Sequence, residues 1–130
     1  MTDASVILII EDNPRNLKLV RDILDYRGYR TLEAPTAEEG LALARSHQPD
    51  LVLMDVQLPG IDGVEALGLM RSDLTTSAIP VVALTAFAMK DDRTRFLAAG
   101  FNGYVEKPID VRAFPGQIEA LLSGTTESPV

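Results

Sequence analysis

Five short apolar runs recur along the chain, and a polar stretch with helical spacing follows each one. The first, Ser5-Val-Ile-Leu-Ile-Ile10, has no polar alternation, the pattern of a strand covered on both faces. Asn13 follows as an N-cap with Pro14 at the first helical position, and Leu17, Val20 and Leu24 then form one apolar stripe. Gly28 is placed to close this helix in a left-handed conformation. Arg30 to Ala34 predicts a shorter second strand. Thr36 and Glu39 have capping-box spacing, and Ala37, Leu41 and Ala44 carry a second helical stripe as far as His47-Gln48-Pro49.

The alternation continues. Asp50 to Met54 predicts a third strand, Gly63 to Arg71 a helix with Val64, Leu67 and Met70 inward, and Pro80 to Leu84 a fourth strand. Lys90 to Ala99, closed by Gly100, reads as a fourth helix and Asn102 to Glu106 as a short fifth strand. A last helix is expected from Asp110 onward, with Phe114, Ile118 and Leu121 on one face. Pro115 disturbs its first turn: the ring meets the carbonyl of Val111 and there is no N–H to bond it, so the helix is expected to start late or bend. Met54, Met70 and Met89 read as core or near-core residues.

Five strands alternating with five helices predict an α/β fold: a doubly wound parallel sheet covered on both faces through right-handed crossovers. In such sheets ligands bind beyond the carboxyl ends of the strands, where the winding changes direction. With 130 residues, 46% of them hydrophobic, the chain is expected to form one domain over residues 1–122, with a polar tail at 123–130 that frays. No output domain is expected.

Charge and composition narrow the function. Twelve Lys and Arg against 19 Asp and Glu leave a formal charge of −7, which disfavours direct binding to nucleic acid or to an anionic membrane. The chain has no cysteine, which removes disulfides, thiolate metal sites and cysteine nucleophiles together. Val6 to Ile10 is far shorter than a membrane span of about 20 residues and no basic leader precedes it, so a soluble cytoplasmic protein is expected.

The stretch Leu51-Val-Leu-Met-Asp-Val-Gln-Leu-Pro-Gly60 poses the chemical question, because an apolar strand there delivers a carboxylate, Asp55, to the sheet edge. A carboxylate placed so is costly without partners. The other strands end in Glu11-Asp12, Thr85 and Lys107-Pro108. In a sheet of order 2-1-3-4-5 the first and third strands are neighbours, and Glu11, Asp12 and Asp55 meet at the switch point. Three carboxylates repel unless a cation lies among them, and oxygen-only ligands favour Mg²⁺. Lys107 would add a positive charge and Thr85 a hydroxyl, an environment that suits Asp55 as a nucleophile toward a phosphoryl group.

These residues together resemble the receiver domain of two-component response regulators: Glu11-Asp12, the strand ending at Asp55, Leu58-Pro59-Gly60 with Asp62-Gly63, Thr85-Ala86 and Lys107-Pro108. The resemblance spans about residues 5 to 122, and it is this resemblance that supplies the flavodoxin-like order 2-1-3-4-5. It implies a stand-alone, single-domain regulator that is a phosphoacceptor rather than an enzyme. Asp55 would take the phosphoryl group from a histidine kinase or histidine phosphotransfer protein. Asp12, Asp55 and the backbone carbonyl of Gln57 would hold Mg²⁺, with Glu11 acting through water, and Lys107 would contact the acyl phosphate. Thr85 and Tyr104 would switch inward, changing the surface of the fourth helix, fifth strand and fifth helix for a downstream protein target or a phosphorelay. In this family the positions of Gln57 and Phe87 are held to influence the phosphoryl lifetime, and Phe87 is expected to limit access of water.

Singly, each residue has an ordinary structural explanation. Asp55 suits a loop cap, Asp12 a helix N-terminus, Thr85 a strand, Tyr104 sheet packing, and Lys107 a solvated surface. Their convergence at one edge is what carries the functional reading. His47, near the end of the second helix, is expected at the surface, away from that edge. A dehalogenase-type phosphatase would need a second acid where Gln57 stands, and an FMN carrier would need a Gly- and hydroxyl-rich loop in place of Glu11-Asp12-Asn13-Pro14. The remaining alternative is a receiver-fold interaction module that works without phosphorylation.

Overall fold

The computed structural model describes residues 5–58, 60–86 and 90–123, with the backbone alone at 90–93. Pro59, Phe87, Met89 and the tail beyond Ser123, singled out above, lie outside the described residues. The element order is β1 (Val6–Ile10), α1 (Pro14–Tyr26), β2 (Arg30–Ala34), α2 (Ala37–His47), β3 (Leu51–Asp55), α3 (Gly63–Ser72), β4 (Val81–Thr85), α4 (Lys90–Ala99), β5 (Gly103–Glu106) and α5 (Phe114–Leu122). The five strands are parallel in the order β2-β1-β3-β4-β5, as the resemblance implied.

Alternate residues of the central strands feed two cores. Ile7, Ile9, Leu51, Leu53, Val82, Leu84 and Val105 meet Val20 and Leu24 of α1 and Phe114, Ile118 and Leu121 of α5. Leu8, Ile10, Val52, Met54, Val81 and Ala83 meet the small and apolar residues of α2 and α3, together with Phe96 of α4. All five residues of β3 and of β4 are buried, which is why these strands read as continuous apolar runs.

Local chemistry sets the helix ends. Asn13 Oδ1 accepts from the backbone N–H groups of Arg15 (2.9 Å) and Asn16 (3.2 Å), Thr36 Oγ1 from Glu39 (3.2 Å) and Asp62 Oδ1 from Glu65 (2.9 Å). Gly28 follows α1 at φ +88°, as its position predicts.

One helical expectation needs correction. Val64 is 40% exposed, and α3 instead buries Gly63, Ala66, Leu67 and Met70. The inward stripe therefore starts one residue earlier, on a glycine that hydropathy does not mark. The last helix begins at Phe114 rather than directly after Asp110, the late start expected from Pro115, which lies in its first turn where a missing N–H costs nothing. Asp110 caps the preceding turn instead, its Oδ1 accepting from the N–H groups of Arg112 (2.9 Å) and Ala113 (3.3 Å).

At the amino ends of β4 and β5 a partly buried fastening joins three segments. Arg71 of α3 donates through Nη1 to the carbonyls of Ser77 (3.1 Å) and Ile79 (2.7 Å), and through Nη2 to the carbonyl of Gly100 (3.0 Å) and Asn102 Oδ1 (2.8 Å). Asn102 Oδ1 also accepts from the Val81 N–H at 2.9 Å, while the Asn102 N–H donates to the Val81 carbonyl at 2.7 Å. The starts of both strands are thereby held to α3.

Candidate phosphoacceptor site

Sheet register assembles the site from residues far apart in sequence. Ile10 pairs with Met54, so the residues that follow them, Glu11 and Asp55, emerge side by side at the carboxyl edge. Thr85 pairs with Glu106, and the Lys107 N–H donates to the Thr85 carbonyl at 2.7 Å, which brings Lys107 to the same edge. The Lys107–Pro108 peptide is cis.

Glu11, Asp55 and Thr85 are buried, Lys107 and Tyr104 are half-buried, and Asp12 and Gln57 are exposed. Lys107 Nζ lies 2.8 Å from Glu11 Oε1 and 3.0 Å from Asp55 Oδ2. The other Asp55 oxygen, Oδ1, accepts from the Gln57 N–H at 2.9 Å, and Glu11 Oε2 accepts from the Asn13 N–H at 3.2 Å. One ammonium thus orients two carboxylates, while backbone N–H groups hold their outer oxygens.

The charge does not balance. Glu11, Asp12 and Asp55 each present a carboxylate oxygen within 4.8 Å of the others, against, among the described residues, the one ammonium of Lys107. Burial pushes the Glu11 carboxyl up to about 7, the Asp55 carboxylate adds to the rise, and Lys107 opposes it. For Lys107, burial pulls downward, but the two carboxylates outweigh it and hold the ammonium above its ordinary range. A further cation at this edge answers the charge surplus. Oxygen-only donors, one of them open to solvent on Asp12, suit a partly hydrated Mg²⁺.

All the residues singled out at the strand ends thus fall at one edge, with Tyr104 two pairs back along β5, opposite Ala83. Tyr104 packs against the core layer that contains Phe96 and Phe101. His47 is exposed on α2, its ring nitrogen 2.8 Å from Ser46 Oγ, and takes no part. Sequence reasoning missed the direct Glu11–Lys107 pair, because nothing in 96 residues of separation signals it, and it treated Gly63 as only a helix start.

Residues 7–119 match the response regulator receiver domain family. The polar-differentiation response regulator DivK of Brucella ovis is 44% identical over 116 residues, which cover 89% of this chain and 94% of that protein; its Brucella anthropi counterpart matches equally. Among solved structures, a CheY-like response regulator receiver domain protein from Methanospirillum hungatei superposes with a TM-score of 0.83 at 29% identity, over 94% of this chain and 96% of that one. The receiver domain of a Pseudomonas aeruginosa sensor histidine kinase, solved with a magnesium ion coordinated in the active site cleft, gives 0.80 at 31% identity, over 96% and 99%. The chain belongs to the response regulator receiver domain family and is a receiver of two-component signalling. Among its described residues, no helix is long and apolar enough to cross a membrane.

Proposed function

We propose that the protein takes a phosphoryl group on Asp55 from the phosphohistidine of a kinase or phosphotransfer protein in the cytoplasm. A carboxylate oxygen of Asp55 attacks phosphorus as the P–N bond breaks, the imidazole keeps the electron pair and takes up a proton, and an acyl phosphate results. Asp12, Asp55 and the Gln57 carbonyl are the direct Mg²⁺ ligands in this reading, with Glu11 acting through water. The metal, when bound, neutralises charge on the phosphoryl oxygens. Lys107, already turned toward Asp55, stabilises the same charge from the protein side.

The observation that carries this reading is the Lys107 ammonium between Glu11 and Asp55, beside a carboxylate cluster whose charge it does not balance. The Asp55 phosphate would draw Thr85 inward, and Tyr104 would follow. The surface of α4, β5 and α5 would then favour a downstream protein partner, because phosphate contacts differ between the two conformations. Neither nucleic acid nor membrane is needed for this output.

Acetyl phosphate with Mg²⁺ tests the assignment. Intact-mass measurement should show one added phosphoryl group on the wild type and none on Asp55→Asn. Stoichiometric labelling of Asp55→Asn overturns it.

A further inference from the structure

The β3–α3 connection closes on itself at Gly63. Its N–H donates to the Val56 carbonyl at 3.0 Å, so the loop that carries Gln57 starts and ends at one point. Within that loop Leu58 is buried in the core, Ile61 packs against it, and Asp62 caps α3. At the closing point the backbones are nearly in contact. A Cβ on Gly63 would stand 2.7 Å from the Asp55 carbonyl oxygen, 2.8 Å from Val56 Cα and 3.3 Å from the Asp55 carbonyl carbon.

Real Cβ contacts essentially never fall below 3.0 Å, and here every opposing atom is backbone with no rotamer to yield. Gly63 also has no positive φ that would by itself explain a glycine. What this position needs is space. Gly68, on the same helix, makes the contrast, since a Cβ there meets nothing within 4 Å.

We propose that Gly63 is a positioning residue for the phosphoacceptor site: its missing side chain lets the start of α3 seat on the Asp55–Val56 backbone and so sets where the Asp55 carboxylate and the Gln57 carbonyl stand. The inference deepens the phosphoacceptor reading and rests on it. Adding a methyl forces the two backbones apart by about 0.3 Å or more, the difference between 3.0 and 2.7 Å. Mg²⁺ demands near-ideal octahedral geometry at about 2.1 Å, so two ligands displaced together by a few tenths of an ångström weaken it, and in-line phosphoryl transfer suffers with it. The effect passes through the backbone of residues 55–57 and needs no contact between Gly63 and metal or phosphate.

The experiment compares the wild type, Gly63→Ala and Gly68→Ala by Mg²⁺ titration, followed by the amide resonances of Val56 and Gln57, and by the rate of labelling with acetyl phosphate at saturating Mg²⁺. Gly63→Ala should shift both resonances in the metal-free protein, bind Mg²⁺ about tenfold or more weakly and label about tenfold or more slowly. Gly68→Ala should stay within about twofold of wild type on both counts, since it changes only an exposed helix position. A folded Gly63→Ala protein that matches wild type in affinity and rate overturns the inference. If Gly63→Ala does not fold, hydrogen exchange on the wild type decides: Mg²⁺ should slow exchange of the Gly63 N–H, because metal binding and closure of the loop are linked. Exchange unchanged by saturating Mg²⁺ overturns the inference. Failure of the wild type itself to bind Mg²⁺ or take a phosphoryl group overturns the phosphoacceptor reading, and this inference with it.

Discussion

Two partly buried cations occupy opposite ends of the sheet, and their surroundings differ in kind. Arg71, at the amino ends of β4 and β5, faces three backbone carbonyls and one side-chain amide oxygen, all neutral and all within hydrogen-bond distance. Lys107, at the carboxyl ends, faces two carboxylates with a third close by. The first cluster is complete as it stands, so it fastens the fold. The second carries surplus negative charge and matches a site that completes itself with a ligand. A buried polar group by itself says little; whether its partners are satisfied separates fastening from function.

The strongest way to break this comparison is to remove Arg71. Arg71→Ala leaves the Ser77, Ile79 and Gly100 carbonyls short of a charge-assisted donor, and we expect a loss of about 2–4 kcal/mol, roughly 10 °C in thermal midpoint. Labelling of Asp55 in the folded protein should be unchanged. Thermal unfolding alongside an acetyl phosphate assay checks both, and a large drop in labelling would mean that the two ends are not independent.

A smaller effect distinguishes residues within the acidic cluster. Asp12→Ala removes a direct ligand and should weaken Mg²⁺ by at least about tenfold, or about 1.4 kcal/mol, whereas Glu11→Ala should stay within about threefold. Calorimetric titration ranks the two, and equal losses would contradict the roles assigned to them.

The smallest effect is a pH dependence. Burial raises the Glu11 carboxyl from 4.5 to about 7, so the native state holds this proton more tightly than the unfolded chain does. The stability that this contributes is full below about 4.5 and is lost as pH rises through about 7. Without metal, the thermal midpoint of the wild type should therefore fall between pH 5 and pH 8 relative to that of Glu11→Gln, and Mg²⁺ should reduce the difference. Parallel pH profiles of the two proteins would show that Glu11 carries no such strain.

Much of this was legible in the linear chain because it depends on short-range pattern. The fully buried strands β3 and β4 announce themselves as apolar runs, Asn13-Pro14 specifies the start of α1, and Pro115 delays α5 for a reason that follows from its ring alone. Val64 misled because hydropathy weighs side chains, and the residue that faces inward at the start of α3 has none. The same blindness hid Gly63, whose importance is a distance to the backbone at Asp55.

The chemical inventory at the strand ends was therefore determined by sequence: which carboxylates, hydroxyl and ammonium would be delivered, and the fold class that delivers them. The tertiary structure decided how they divide their partners, with Lys107 shared between Glu11 and Asp55, one Asp55 oxygen bound by the Gln57 N–H, and Arg71 consumed far away by carbonyls. The physical reason is range. Periodicity and capping act over a few residues, whereas a site's charge balance and clearances depend on atoms within about 4 Å in space that can lie tens of residues apart in the chain.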